Sequence, residues 1–584
     1  MTTEGAMTGP APSETRSFFV GDLTRGTLVA AAIAVCVGQV ALAIPAVLNG
    51  LFQLDLGTSA SQLTWISDAF LVPVTLLELT FGVLGDMFGR KRLLVGGALI
   101  LATGELVSVL TPGTSASTDT RVLVLWIGQA LAGIGAAVLF PTSLAVVAAA
   151  THNARERGRV IAIYAAALST GGFISPVIGG LVAKLKWGSD AHASWRWAFL
   201  AVMLLALISA GVSAVWARNS SSPEGRSLDW PGQITIAISL FALLFAVIQA
   251  PTAGWGSTEV ILGFVIAAVF MVLFIMAERR TRAPLLRLEL FENRAFAITA
   301  FVTVLGMFAF LGTAYASSIR FASIQGFSPL RTSLAFVLLQ GFALVLLPVV
   351  SWAMPRINPR WLLGGGFVLI AAGDFWASTV PVSHHSIVPM IAPLALVGIG
   401  FAFAISSVTA VAVNTVRINL AGMASATTSL LRDFGFTLGP ALIGAIALSR
   451  AASTIHSQIA ASPKLAHALN GFYGSVAHAP PAQRQKLAEA VGAVKSGPLG
   501  ANGVPATAHL PNGHTVPLNP LKETAFHALG NAYSFGYVVC GVAAGISGLL
   551  ALLILRADAH HDADELAAAE SDQYASSDRA LQQA

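Results

Sequence analysis

Six ionisable side chains lie inside otherwise apolar stretches, where they could bind and release protons. Glu78, Glu105 and Asp433 lie deep in their apolar runs, whereas Asp68 and Asp374 lie nearer to one end. A charge in the middle of a bilayer costs at least about 2.5–3.5 kcal/mol, so such a residue by default faces a cavity or an ionic partner. A carboxyl group in an apolar environment also holds its proton more tightly than one in water. The candidate proton-coupling residues are Glu78, Glu105, Asp433, Asp68, Asp374 and Arg432.

Arg432 and Asp433 are neighbours in the sequence. Consecutive side chains on a helix point about 100° apart, so we expect each to pair with a group on another helix. The alternative to proton coupling is a buried ion pair that holds helices together. A buried ion pair is the favoured interpretation for Arg432. For Glu78 and Glu105 the sequence supports a buried ion pair and proton coupling equally.

A second concentration of charge is the segment GVLGDMFGRKR, residues 82–92, which holds four charged residues from Asp86 onward. The Asp86 carboxylate could accept from backbone N–H groups, face a helix N-terminus or pair with Arg90. A contact that forms in one conformation and breaks in another would act as a latch. The alternative is that the basic residues only orient the chain in a membrane. The candidate latch residues are Gly82, Asp86, Gly89, Arg90, Lys91 and Arg92.

A third candidate is the segment YAAALSTGGFISPVIGG, residues 164–180, which is rich in glycine and contains a proline. Small residues allow close helix contacts, and proline frees a backbone carbonyl, so this helix should be smooth and bendable. The alternative is the ordinary enrichment of glycine and proline in membrane helices. The candidate residues are Gly171, Gly172, Pro176, Gly179 and Gly180.

The elements that must position these residues are membrane helices. Only 10% of the 584 residues are charged, 55% are hydrophobic, and the mean hydropathy is +0.74, which excludes a soluble globular protein. The basic residues lie in short loops, which argues against nucleic-acid binding, and no nucleophile motif, phosphate loop or metal cluster points to an enzyme or a cofactor. Fourteen apolar runs begin near Gly26, Leu63, Leu93, Val122, Val160, Trp197, Gly232, Val260, Ala295, Thr332, Trp361, Ile387, Ala421 and Ala532.

Lysine and arginine are concentrated in alternate short loops, which predicts that those loops and both termini are cytoplasmic. Arg121, Arg196 and Arg320 are among the exceptions. One outer loop, residues 453–522, is long and contains a possible helix, PAQRQKLAEAVGAV, and a hairpin signal at Asn512-Gly513; its simplest interpretation is a variable external cap. The acidic tail, residues 556–584, is typical of disorder, and its His560 and His561 are expected to be solvated rather than metal-bound.

Two pairs of similar segments indicate an internal repeat. RLLVGGA at residue 92 resembles WLLGGGF at residue 361, and GFISPVIGG at residue 172 resembles FTLGPALIG at residue 436, with similar offsets. The predicted domains are a cytoplasmic tail (1–25), a six-helix half (26–217), two extra helices (232–277) and a second six-helix half (295–555).

The motifs together resemble the major facilitator superfamily. GVLGDMFGRKR is similar to its loop signature G-x-L-x-D-x-x-G-R-[KR]-x, and residues 164–180 are similar to its antiporter signature, with Ser175 where glycine is usual. SWRWAFL, LDWPGQ and PLLRLELF resemble connections in its fourteen-span drug:proton antiporter family. The resemblance implies two six-helix halves plus two inserted helices, a cytoplasmic latch, and a glycine-rich helix at the interface between halves.

Two positions depart from that family. Cys36 stands where the resemblance implies an acidic residue, and Gln129 stands where it implies an arginine. Both family groups are tied to proton coupling, so the usual proton route is in doubt.

The sequence as a whole predicts a monomeric transporter of the plasma or inner membrane that exports hydrophobic or amphipathic small molecules against proton entry. Alternatives are a lipid or lipophile exporter, an uncoupled facilitator, and a membrane receptor or scaffold that uses the long outer loop. Candidate residues of a central cavity are Gln39, Gln129, Trp65 and Trp126.

Overall fold

A computed structural model gives the architecture of the chain. It describes residues 25–149, 154–182, 184–188, 190, 192–220, 228–281, 284–354, 356–384, 386–416, 421–478, 481–509 and 515–555. The acidic tail with His560 and His561, nearly all of the N-terminal tail, and the Asn512-Gly513 turn lie outside the described residues.

The described chain is almost entirely helical and contains the predicted number of membrane spans. Thirteen helices are long and apolar enough to cross a bilayer, and a bent pair, α10 and α11, supplies the fourteenth, which confirms the prediction. The spans are α1 (Arg25–Leu56), α2 (Ala60–Phe88), α3 (Arg90–Val109), α4 (Thr118–Ala149), α5 (Ala154–Val182), α6 (Trp195–Trp216), α7 (Trp230–Ala253), α8 (Thr258–Arg280), α9 (Arg294–Ser318) with its π-helical extension Ile319–Ile324, α10 (Pro329–Val345) with α11 (Leu347–Ala353), α12 (Pro359–Thr379), α13 (Val388–Asn414), α14 (Ala421–Ala461) and, later in the chain, α18 (Lys522–Leu553).

The helices form two six-helix halves with matching contacts. In the first half α1 packs on α5 and α6, and α3 packs on α4 and α6; in the second, α9 packs on α14 and α18, and α12 packs on α13 and α18. The halves meet where α5 packs on α10 and α2 packs on α14. The inserted α7 contacts α2 and α14, and α8 packs on α7. This is the predicted fold.

The internal repeat extends further than the short similar segments. At a constant offset of 269 residues, Gly104 corresponds to Gly373 and Glu105 to Asp374. A side chain on Gly104 would overlap the backbone of α4, and one on Gly373 would crowd Pro393 and Val397 of α13. The repeat therefore preserves the close contact of α3 with α4 and of α12 with α13.

The segment before the last span begins later than predicted. Helix α14 continues to Ala461, so the segment is shorter than the predicted loop 453–522. Helix α18 begins at Lys522, where that loop was predicted to end, and ten residues before the apolar run near Ala532. Helices α14 and α18 both extend beyond the apolar runs from which the spans were predicted. The predicted helix is present as α16 (Pro481–Lys495), between α15 (Pro463–His478) and α17 (Pro498–Gly503), and β1 (Thr507–His509) pairs antiparallel with β2 (Thr515–Pro517) as the hairpin signal predicted.

Three arginines that break the charge pattern of the loops have buried partners. We call the face where α1 begins the basic face, and the other the opposite face. At the opposite face, Arg121 Nη2 lies 2.7 Å from Asp55 Oδ1, and Arg196 Nη1 lies 3.6 Å from Asp55 Oδ2. Trp195 Nε1 donates to the same Asp55 Oδ2 at 2.8 Å. One carboxylate thus joins the ends of α1, α4 and α6.

Arg196 also donates to the carbonyls of Thr111 and Pro112 at the end of α3. In the second half Arg320 donates to the carbonyls of Val380 and Pro381. These two residues correspond to Thr111 and Pro112 at the repeat offset of 269 residues. Arginines at this face therefore satisfy helix-end carbonyls that have no intrahelical partner, and their positions reflect folding as well as topology.

Candidate functional site

Three of the predicted proton-coupling residues meet at the interface between the halves. Glu78 of α2 faces α14, where its carboxyl group lies close enough to interact electrostatically with Asp433 and Arg432. Glu78 is 4% exposed and Asp433 is 3% exposed. A buried pair of carboxyl groups with one cation therefore lies across the contact between the two halves.

Arg432 and Asp433 pair with each other and also face Glu78 on α2, whereas we expected pairing across helices in place of pairing with each other. Arg432 Nε donates to Asp433 Oδ1 at 2.8 Å, and its Nη2 donates to Oδ2 at 3.1 Å. The expectation was wrong because the long arginine side chain can bend back to a neighbouring residue, whatever the angle between their Cα–Cβ bonds. The fork geometry of the guanidinium then allows a two-bond contact.

The sequence did not single out the hydroxyl groups around this cluster. Thr75 of α2 and Thr437 of α14 are hydrogen-bonded through their hydroxyl oxygens at 2.8 Å. Tyr164 of α5 donates to the carbonyl of Phe140 at 3.3 Å and interacts with the charges of Arg432 and Glu78. Threonine is common in membrane helices, so no sequence signal would have distinguished these residues without the fold.

The other three carboxyl groups occupy separate places. Asp68 lies near the opposite face beside Tyr315 of α9, whose hydroxyl is 2.8 Å from Thr64 Oγ1. Glu105 lies between α3 and α4 beside Gln129. Asp374 Oδ1 accepts from Thr313 Oγ1 of α9 at 2.6 Å. All three are fully buried, but Glu105 and Asp374 each stay within one half.

The candidate cavity residues are not gathered in one place. Gln39 is half-buried on α1 next to Gly171 of α5. Gln129 is fully buried and donates to Ser108 of α3 at 3.0 Å. Trp65 packs on Trp126, with ring centroids 6.3 Å apart, and on Phe241 of the inserted α7, at 6.0 Å. The two tryptophans thus join α2 and α4 to α7.

The glycine-rich helix α5 packs closely on helices of both halves. A side chain on Gly171 would overlap the carbonyl of Cys36 in α1, whereas one on Gly172 would overlap Gln340 in α10. Two turns later, Gly179 faces Val47 of α1 and Gly180 faces Ser333 of α10. Pro176 lies within this helix, between the two pairs. The glycine pairs let α5 pack between α1 and α10, at the boundary of the halves.

A buried ion pair joins the end of α2 to the start of α3, across the single residue Gly89. Arg90 Nη2 lies 2.7 Å from Asp86 Oδ1, and both side chains are less than one-tenth exposed. Arg90 also donates from its backbone N–H to the carbonyl of Ser220, at 3.0 Å, just after α6. Gly89 adopts φ +97°, a conformation that favours glycine. Gly82 and Arg92 flank this site, with Lys91 between Arg90 and Arg92.

We predict that Asp86→Asn slows transport about ten-fold while leaving the amount of folded protein unchanged. A hydrogen bond to a charged group contributes about 1.5–3 kcal/mol, and a loss of that size shifts a two-state equilibrium roughly ten-fold or more. Transport rates in reconstituted vesicles would measure the effect. Glu292→Gln removes an exposed charge from the loop before α9 and serves as the control; equal rates in the two variants would argue against a latch.

In the part of the chain that the structure describes, no group of three or more His, Cys, Asp or Glu side chains could hold a metal ion. The groups that the site does offer are carboxyl groups, one guanidinium and hydroxyl groups at a boundary between two helix bundles. Such groups can take up and release protons.

Comparison with known proteins agrees with this architecture. The chain is 26% identical over 407 residues to the multidrug resistance protein Stp of Mycobacterium tuberculosis, covering 70% of this chain and 73% of that protein. It is 28% identical over 429 residues to a tetracenomycin C resistance and export protein of Streptomyces glaucescens, covering 73% and 76%. Its fold resembles that of a D-xylose-proton symporter, with a TM-score of 0.52, 14% identity and coverage of 72% and 90%.

A family model described as the Major Facilitator Superfamily matches residues 29–440, which is more than half of the chain. Together with the paired six-helix halves, this match settles the family. The chain belongs to the major facilitator superfamily.

Proposed function

We propose that this transporter exports hydrophobic or amphipathic small molecules by alternating access and that proton entry drives the export. Several relatives are named for multidrug resistance, tetracenomycin C resistance and export, or puromycin resistance. Those names describe the relatives, and they support small-molecule export as the function of this chain. The protein would act as a monomer in the cell membrane, with its termini on the cytoplasmic side.

The observation that carries the proton coupling is the burial of Glu78 beside Asp433 and Arg432, where α2 packs on α14. Arg432 neutralises only one of the two carboxylates, so a second negative charge in this apolar site is costly. A proton on the carboxyl pair removes that cost and permits α2 and α14 to stay together. Loss of the proton would favour separation of the halves, which links protonation to the side from which the cavity opens.

The membrane halves would then move about α5, α10, α2 and α14. The glycine pairs of α5 give a smooth surface for this movement, and the Asp86–Arg90 ion pair would hold one conformation. This assignment leaves Glu105, Asp374 and Asp68 as further candidates for proton binding. Gln39 and the two tryptophans, Trp65 and Trp126, would line the cavity.

Export by purified protein would test this function. The protein would be reconstituted into vesicles, with ethidium as an amphipathic probe and an imposed difference of one pH unit. Such a difference supplies about 1.4 kcal/mol per proton, enough for a ten-fold ratio of probe across the membrane in a one-for-one exchange. We expect accumulation that collapses when an ionophore removes the pH difference. Probe movement that ignores the pH difference would refute the coupling.

A second candidate is an uncoupled facilitator or an exporter of lipids or other lipophiles. It is favoured by Cys36 and Gln129, which lack the charges that the related antiporters use. Gln129 is hydrogen-bonded to Ser108, and the Cys36 carbonyl packs against Gly171. The same assay distinguishes the candidates, because a facilitator equilibrates the probe without concentrating it.

A further inference from the structure

A cavity of about 950 Å³ lies on the basic face, where α1 begins, α3 begins and α6 ends. Arg25, Lys91 and Arg218 contribute three cationic side chains to its lining. Among the residues described there, no acidic side chain lines the cavity. A cavity lined in this way attracts anions.

Hydrogen bonds fix two walls of the cavity to each other. The backbone N–H of Arg218 donates to Thr27 Oγ1 at 3.1 Å, and Thr27 Oγ1 donates to the carbonyl of Trp216 at 3.4 Å. A side chain on Gly26 would lie 3.1 Å from the Trp216 Cβ, so α1 and α6 approach closely here. The site is therefore built by the packing of these helices.

The third wall is the start of α3, which contributes Lys91. The preceding residue, Arg90, holds this wall through its bonds to Ser220, at 3.0 Å to the carbonyl and 3.3 Å to the hydroxyl. The Gly89 position also touches Asn219, which lines the cavity. The cavity and the ion pair of Asp86 thus share one loop.

The surroundings indicate what kind of anion fits. Val29, Val215 and Trp216 line the cavity, and they are 40%, 75% and 51% exposed. These apolar side chains lie at the ends of membrane helices, and tryptophan favours the boundary between lipid and water. A ligand with an anionic head and apolar chains satisfies both the cations and this apolar rim.

We propose that this cavity binds the headgroup of an anionic phospholipid. The phosphate lies between Lys91 and Arg218, and the acyl chains lie along Val29 and Val215. Basic pockets between membrane helices bind such headgroups elsewhere. Because Lys91 follows Arg90, a bound phosphate also braces the latch loop against α1 and α6.

Lipid binding to the purified full-length protein in detergent tests the proposal. Native mass spectrometry would count bound dioleoyl phosphatidylglycerol and dioleoyl phosphatidylcholine at equal concentrations, and thermal unfolding would report stabilisation. We expect preferential binding of phosphatidylglycerol and a rise in the unfolding temperature. Each cation near a membrane surface contributes about a five-fold increase in affinity, so Lys91→Gln with Arg218→Gln should weaken binding about 25-fold.

The matched control is Arg279→Gln with Arg280→Gln, which removes two exposed cations from the end of α8 on the same face. It should bind phosphatidylglycerol as the native protein does. The conservative Arg218→Lys should keep most of the affinity, which separates loss of charge from misfolding. Equal binding of the two lipids, or equal weakening in both double variants, would overturn the proposal. Stabilisation by glycerol phosphate equal to that by the lipid would show a phosphate site and not a lipid site.

Discussion

Glu78→Gln should abolish the ability of the protein to concentrate its substrate. With one pH unit across the vesicle membrane, we expect a substrate ratio near ten for the native protein and near one for the variant. Glutamine matches glutamate in size and, like the protonated acid, offers one donor group and one acceptor, but it cannot exchange a proton with the site shared by Asp433 and Arg432. The variant should still bind the probe, because the substitution removes coupling and not the cavity.

Glu105→Gln is the matched comparison, since it replaces a fully buried carboxyl with the same amide within one half. We expect this variant to retain the pH-driven ratio. If Glu78→Gln concentrates the probe as well as the native protein does, the carboxyl pair between α2 and α14 does not couple protons. Loss of the ratio in Glu105→Gln alone would assign the proton to α3.

Asp55→Ala should cause the largest loss of stability of any single substitution considered. The Asp55 side chain is 2% exposed and compensates Arg121 and Arg196, whose side chains are each 5% exposed. Removing one partner from a buried ion pair costs about 3–5 kcal/mol, because the remaining charge is uncompensated. Chemical unfolding of the purified protein in detergent would measure this as a lower midpoint.

Asp119→Ala provides the control, because Asp119 is exposed at the start of α4 on the same face. It accepts a hydrogen bond from Gln62 at 2.9 Å in an exposed position, and we expect its removal to change stability by about 0.5 kcal/mol or less. A loss of equal size in the two variants would mean that the Asp55 cluster is not a special source of stability.

Much of the fold was predictable because its physical causes are visible in the sequence. Apolar runs revealed the fourteen spans, and the Asn512-Gly513 signal predicted the pairing of β1 with β2. The ends of α14 and α18 were less predictable, since these helices continue into polar segments where hydropathy gives no signal. Their actual limits depend on packing beyond the membrane.

The sequence predicted which residues belong to the candidate site but not how they are arranged. Burial in apolar runs identified Glu78 and Asp433, but nothing in the sequence placed them together, because the contact joins helices far apart in the chain. The pairing of Arg432 with its neighbour Asp433 was not predicted, because a long arginine side chain can bend back along its own helix. The correspondence of Glu105 with Asp374 was predictable from the sequence. It follows when the offset of 269 residues, which relates the segments at residues 92 and 361, is applied to residue 105.

The capping of α3 and α12 has a consequence for how the two halves are compared. Equivalent carbonyls, at Pro112 and Pro381, receive their hydrogen bonds from arginines on non-equivalent helices, α6 and α9. The two halves therefore share the position of the acceptor atoms but not that of the donor residues. A comparison of the halves that aligns only their charged residues would miss this correspondence, because only the acceptor carbonyls occupy equivalent positions.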